Sequence, residues 1–224
     1  MTPTEDPHPC HGTGCPSEYQ WPVESTEALG PIEMPSNESF RSVLEARRST
    51  RALGAAPLPV ILNMLAYVTS PRFIKDGDLL RRNRRPSLSA GALHPISVLL
   101  MPAGDDLRVL RVNVDNTTLE RVTFPVEKVT TLVARSKELL PEACGSLVAL
   151  IADVSRPAAA YERFESLLWR DAGALLQTLA LCCEAYGLAF CPLGLLGSEI
   201  AEALPDSGSL VAVGMAVVGV AEGK

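Results

Sequence analysis

Arg84-Arg85-Pro86-Ser87-Leu88-Ser89-Ala90-Gly91-Ala92-Leu93-His94-Pro95 is the stretch on which the reading of this chain turns, together with Ala46-Arg47-Arg48-Ser49-Thr50-Arg51 upstream. Both concentrate forked cations, hydroxyls and small side chains at the ends of predicted helices. A planar, phosphate-bearing ligand needs donors of that kind. Arg47, Ser49 and Arg51 are two apart, a spacing that cannot share one helical face, so they mark the place where a helix over Phe40 to Arg48 unwinds. There an arginine fork can hold a phosphate or a carbonyl, and Ser49 can add a hydroxyl donor. Ser87, Ser89, Ala90 and Gly91 lie just before the apolar run Ile96 to Met101, and such small residues let backbone approach a flat ring. Read alone, Arg47 and Arg48 are equally well solvated helix-end charges, and Ser-Ala-Gly-Ala a plain loop.

Outward from these segments, hydrophobic periodicity sets the organisation. Phe40, Val43 and Leu44 mark one helix, and Leu58, Ile61, Leu62 and Leu65 a second that begins at Pro57 or Pro59. Ile96 to Met101, Leu107 to Val112, Leu147 to Ala152 and Leu210 to Val220 are β-branched-rich runs that read as strands, the first two joined around Ala103-Gly104-Asp105-Asp106. Between Ala158 and Tyr186 runs a continuous helical pattern, apolar almost all round in its second half and stopped by Gly187. That helix is expected to be central or pressed against another subunit. Leu188 to Gly197, with two glycines and a proline, reads as a turn that lays backbone amides against a ligand, or as a connector into a short helix from Ser198, with Ser198 as its cap.

With 224 residues and 47% of them hydrophobic, the chain can bury one substantial core, which at 5% aromatics must be mostly aliphatic. A net charge of −6 argues against general nucleic-acid or anionic-membrane binding. Arg81, Arg82, Arg84 and Arg85 form the one basic run. By default it is a solvated loop; its contiguity with the Ser-Ala-Gly segment leaves an anion clamp or substrate dock as the alternative. Residues 1–37 are proline-rich, have no hydrophobic period and read as an extended arm that contributes little buried area, ahead of a domain over 38–224. The first twenty residues are polar and hold no apolar leader core, and no stretch is long and apolar enough to span a membrane. The cytoplasm is therefore the expected compartment. Six cysteines fit reduced thiols better than a disulfide scaffold. His8, Cys10, His11 and Cys15 put four metal-ligand types into eight residues, but spacing this tight without a second cluster reads as tail, and no metal is expected.

The Arg-Arg-Ser-x-Arg entry, the Pro-Ser-x-Ser-Ala-Gly-Ala-Leu-His-Pro loop and the later Trp169-Arg170-Asp171-Ala172-Gly173-Ala174-Leu175-Leu176-Gln177 resemble, in this order, the nitroreductase-like flavoproteins. The SagB/McbC-type dehydrogenases, which oxidise thiazoline and oxazoline rings in ribosomal peptides, look most similar. The resemblance covers roughly residues 38–220. It implies an α+β fold with a central, mainly antiparallel sheet flanked by helices, in an intertwined homodimer with flavin mononucleotide (FMN) at the subunit interface. It also implies that Arg47, Arg48, Ser49, Arg51, Ser87, Ser89, Ala90 and Gly91 hold the cofactor, and that main-chain groups of Leu193 and Gly194 lie beside flavin N5.

Arg51 or Arg47 near flavin N1 would stabilise the reduced anion by roughly 4 kcal/mol at 4 Å and an effective dielectric of 20. Two features depart from the resembled pattern. A Lys-Tyr pair is expected before the long helix, but the chain reads Ala160-Tyr161, which leaves Tyr161 as the candidate proton-transfer residue, with Arg163 or Arg170 as its supporting cation. A basic residue near the C-terminus is also expected on the phosphate, and only Lys224 is basic there. Three readings follow: a flavin dehydrogenase or oxidase acting on a natural-product or peptide-derived substrate; an NAD(P)H-dependent nitro or quinone reductase; and a non-catalytic partner with a degenerate site.

Overall fold

The computed structural model describes residues 5–11, 14–35 and 39–222. In chain order the strands are β1 (His8–Pro9), β2 (Val23–Ala28), β3 (Leu53–Gly54), β4 (Phe73–Ile74), β5 (Asn83–Arg84), β6 (Ile96–Met101), β7 (Val109–Asn113), β8 (Thr118–Val122), β9 (Ser146–Asp153), β10 (Tyr161–Glu162), β11 (Ala189–Leu193) and β12 (Leu210–Ala221). The helices are α1 (Phe40–Ala46), α2 (Leu58–Thr69), α3 (Val126–Leu139), α4 (Ser155–Ala160), α5 (Glu165–Ala185) and α6 (Ser198–Ala203).

Eight strands form one sheet in the order β11-β12-β9-β6-β7-β8-β2, with β3 on the far end of β12, and every ladder in it is antiparallel. Period-two alternation divides its central strands between two cores. Val98 and Leu100 of β6, with Val148 and Leu150 of β9, face α2 and α5. Leu99 and Met101, with Leu147, Ala149 and Ile151, face the other way, with residues of α3 and α6. A sheet buried on both faces explains why β9 and β12 are almost continuously apolar. Where β3 meets β12, a Cβ on Gly219 would stand 2.2 Å from the Gly54 carbonyl oxygen, so the pairing requires glycine there.

The expected helices over 40–48 and from Pro57 are present: Pro57 caps α2 and Pro59 sits in its first turn, where a missing N–H costs nothing. Three local expectations are corrected. The helical run from Ala158 is broken, because Tyr161 is extended (φ −140°, ψ 137°) and pairs with Pro9, and Arg163 is left-handed (φ 55°) before α5 begins at Glu165. A partner 152 positions away in sequence overrides the local propensity of the alanine run. Residues 189–193, read as part of a turn, are strand β11 on β12. Gly197, left-handed at φ 83°, caps α6 in place of Ser198.

The arm was expected to contribute little buried area, but its described residues are packed against the rest of the chain. β2 pairs with β8 at the sheet edge, the Tyr19 N–H donates to Asp153 Oδ2 at 2.7 Å, and Glu18 meets the buried Arg156 at 2.8 Å. Within the His8 to Cys15 stretch, Gly12 and Thr13 lie outside the described residues, as does Lys224. No helix among the described residues is long and apolar enough to cross a membrane.

Candidate functional site

The Ser87 to His94 loop is held in an unusual shape. Gly91 (φ 58°), Ala92 (φ 56°) and His94 (φ 47°) are all left-handed, and two of the three carry a side chain, so the loop stores strain that its surroundings must hold. Asp171 on α5 does this. Its Oδ2 accepts from the Ser89 hydroxyl at 2.5 Å and its Oδ1 from the Ala90 N–H at 2.9 Å, while Ser89 Oγ accepts from the His94 N–H at 2.9 Å. Burial raises the Asp171 pKa above its ordinary 3.8, opposed by the bonds from Ser89 and Ala90. The carbonyl of Asn83 can only accept, so the His94 Nε2 that meets it at 3.0 Å carries the proton. Burial, then the neighbouring Arg85 charge, pulls the His94 pKa down to about 4 and keeps the ring neutral at pH 7.

Tyr161, far from this loop in sequence, is brought against it: a Cβ on Gly91 would lie 2.7 Å from Tyr161 Oη. Ser87, Ser89, Ala90, Gly91 and Tyr161 thus form one assembly. The suggested cations do not join it in the same way. Arg163 is paired to Glu5 at 2.8 Å, and Arg170 is exposed on the outer face of α5.

The second segment lies elsewhere on the chain. As α1 ends, Ser49 bridges to Phe190 in parallel and the Thr50 N–H donates to the Phe190 carbonyl, so the arginine run lies along β11. Arg51 is close enough to Cys191 to oppose the burial that raises that thiol's pKa. Leu193 ends β11 opposite Met215, and Gly194 follows with open space where a Cβ would stand. Among the described residues none of Arg47, Arg48 and Arg51 makes an ion pair, so all three are free to meet an anion. Arg47, Arg48, Ser49, Arg51, Leu193 and Gly194 form a second assembly. No hydrogen bond or ion pair among the described residues joins it to the first.

In sequence Asp171 is simply one member of the Trp169 to Gln177 run. Nothing in its spacing announces a bond to Ser89, 82 positions earlier; an acid at an apolar position of a helical stripe was the one local signal.

A two-faced antiparallel sheet joined to a long helix in this way is the fold of the nitroreductases. A protein described as a nitroreductase, from Ralstonia eutropha JMP134, superposes with a TM-score of 0.67 over 98% of this chain and 100% of its own, at 18% identity. A chain of the Escherichia coli microcin synthetase McbBCD complex, solved with truncated pro-MccB17 bound, gives 0.59 over 89% of this chain and 80% of its own, at 17% identity. A protein described as a nitroreductase in complex with FMN, from Desulfovibrio desulfuricans, gives 0.51 over 84% and 89%, at 18% identity. Identities this low make the likeness one of fold. No protein-family model and no curated protein matches the chain.

Proposed function

We propose that the protein is an FMN-dependent oxidoreductase of the SagB/McbC type, working as a homodimer on a natural-product or peptide-derived substrate. The observation that carries this reading is the pair of half-sites: three arginines without acidic partners among the described residues, beside an open Gly194, and a strained Ser-Ala-Gly loop under a tyrosine. The residues fit the cofactor. Arg47, Arg48 and Arg51 with Ser49 would hold its phosphate and the N1 edge, and the backbone of Leu193 and Gly194 would lie along the ring. From the other assembly, Ser87, Ser89, Ala90 and Gly91 would close the second face.

Because the half-sites are separate on one chain, a second copy completes them. Large apolar side chains left exposed beside both support this: Leu88 (81% exposed) and Trp169 near the first, and Phe40 (71% exposed), Leu44 and Leu196 near the second. When bound, FMN accepts a hydride at N5. The protein's own task is to orient the substrate C–H bond, exclude water, and remove the proton that leaves with the hydride. Tyr161 Oη, which faces Gly91, would relay that proton, accepting it as its own hydroxyl proton passes to solvent. Likeness in fold to a microcin synthetase component supports a peptide-derived substrate.

The test is anaerobic mixing of FMN-loaded protein with a thiazoline-bearing peptide or with NADPH. Bleaching by the peptide, with a loss of two hydrogens from it, is expected. Bleaching by NADPH alone would replace this reading with a nicotinamide-driven reductase, and bleaching by neither, or failure to load FMN at the outset, would leave a non-catalytic partner.

A further inference from the structure

A cavity of about 390 Å³ opens between the arm residues Glu18 to Trp21, the 81–85 turn and the strands β6 and β7, with His94 in its lining. It contains none of the residues assigned to the two half-sites. Four arginines line it, and three have carboxylate partners within it: Arg81 Nη2 to Asp115 at 3.2 Å, Arg111 Nη2 to Glu120 at 2.8 Å, and Arg156 Nη2 to Glu18 at 2.8 Å. The fourth acid, Asp153, is taken by the backbone N–H groups of Tyr19 and Ser155.

Arg85 differs. Its Nε donates to Asn83 Oδ1 at 2.8 Å, and its two terminal nitrogens meet no acceptor among the described residues. Burial brings its pKa down to about 10, so it remains a cation at neutral pH, and it makes no ion pair among the described residues. The charges acting on it are one acid, Asp115, and two further cations, Arg156 and Arg81. His94, neutral, adds none. Arg81 itself is left-handed (φ 52°), which is backbone strain at the cavity edge.

We propose that this cavity binds a small monocarboxylate, its two oxygens taken by the open fork of Arg85. A guanidinium fork matches a carboxylate in a bidentate, planar way. Four arginines and four acids leave the lining neutral overall, so a monoanion is held at less electrostatic cost than a phosphate dianion. Tyr19 and Trp21, edge to face at 5.2 Å, provide an apolar wall for the rest of the molecule. The inference does not depend on the flavin reading.

Calorimetric titration of the full-length protein with sodium benzoate tests it. One site per chain is expected. Arg85→Met should weaken it by about tenfold or more, and Arg85→Lys, a point charge without the fork, by less. Ser97→Phe on β6 fills the cavity without altering Arg85, so it serves if Arg85→Met fails to fold, and it should abolish binding. Absence of binding at about 10 mM benzoate, equal affinity in wild type and Arg85→Met, unchanged binding in Ser97→Phe, or inorganic phosphate binding more tightly than benzoate would each overturn the proposal.

Discussion

Replacing Asp171 by alanine removes both bonds that hold the strained loop, from the Ser89 hydroxyl at 2.5 Å and from the Ala90 N–H at 2.9 Å. Hydrogen bonds to a charged acceptor contribute about 1.5–3 kcal/mol each, but the desolvation that raises this carboxyl's pKa offsets part of that. The net loss is expected to be about 2–4 kcal/mol. In a domain of this size it corresponds to a fall in Tm of roughly 4–16 °C. Asp171→Asn keeps an acceptor for the Ala90 N–H and should cost less, about 1–2 kcal/mol. The pH dependence gives an independent sign. A carboxyl whose folded pKa lies above its unfolded value contributes stability that is present at low pH and is lost as pH rises from near 3.8 through the folded value. The gap between wild type and Asp171→Asn should therefore narrow as pH rises through that window. Urea unfolding of both proteins, followed by circular dichroism from pH 3.5 to 7, measures it. A gap that widens with pH would show that the bonds from Ser89 and Ala90, and not burial, govern this group.

The remaining predictions use the same neighbourhood. His94 is depressed to about 4, so its contribution is present above 6.5 and lost as pH falls from 6.5 to 4; His94→Gln should flatten that acid limb of the stability curve, and an unaltered limb refutes the assignment. Gly91→Ala adds a Cβ at a left-handed residue, 2.7 Å from Tyr161 Oη, and should cost about 2 kcal/mol or more in thermal unfolding; a neutral effect would mean that Tyr161 does not sit against the loop. Tyr161→Phe should cut turnover of the peptide substrate about 100-fold with FMN content unchanged; full turnover would make Tyr161 a packing residue. Glu18→Gln leaves the buried Arg156 guanidinium short of its ion-pair partner and should cost about 1–3 kcal/mol by denaturant titration, whereas an arm that merely trails would show none.

The strands at 96–101, 147–152 and 210–220 were legible because burial on both faces gives unbroken β-branched runs, and α1 and α2 because their apolar spacing and prolines agree. What could not be read depends on partners remote in sequence. Tyr161 belongs to an alanine-rich helical run until Pro9 pairs with it. β2 is a polar, fully exposed stretch whose only reason to be a strand is β8. The composition of both proposed half-sites was readable, since small residues and clustered arginines are local facts, whereas the lack of ion pairs at those arginines among the described residues was not. Their division between two places on the chain was not, because it follows from where α5 and β11 lie in the fold. The basic run was ambiguous between solvated loop and clamp for the same reason: Arg81 and Arg85 point into a cavity built by segments more than ten residues to either side.

The most direct measurement is titration of the purified full-length protein with FMN, monitored by flavin fluorescence and by light scattering of the loaded species. The account predicts one FMN per chain, twice the chain mass, and an affinity reduced about tenfold or more, or 1.4 kcal/mol, by Arg51→Ala and separately by Asp171→Ala, since each damages a different half of the site. A protein that binds no FMN at about 100 μM, or a flavin-loaded monomer indifferent to both substitutions, would contradict it.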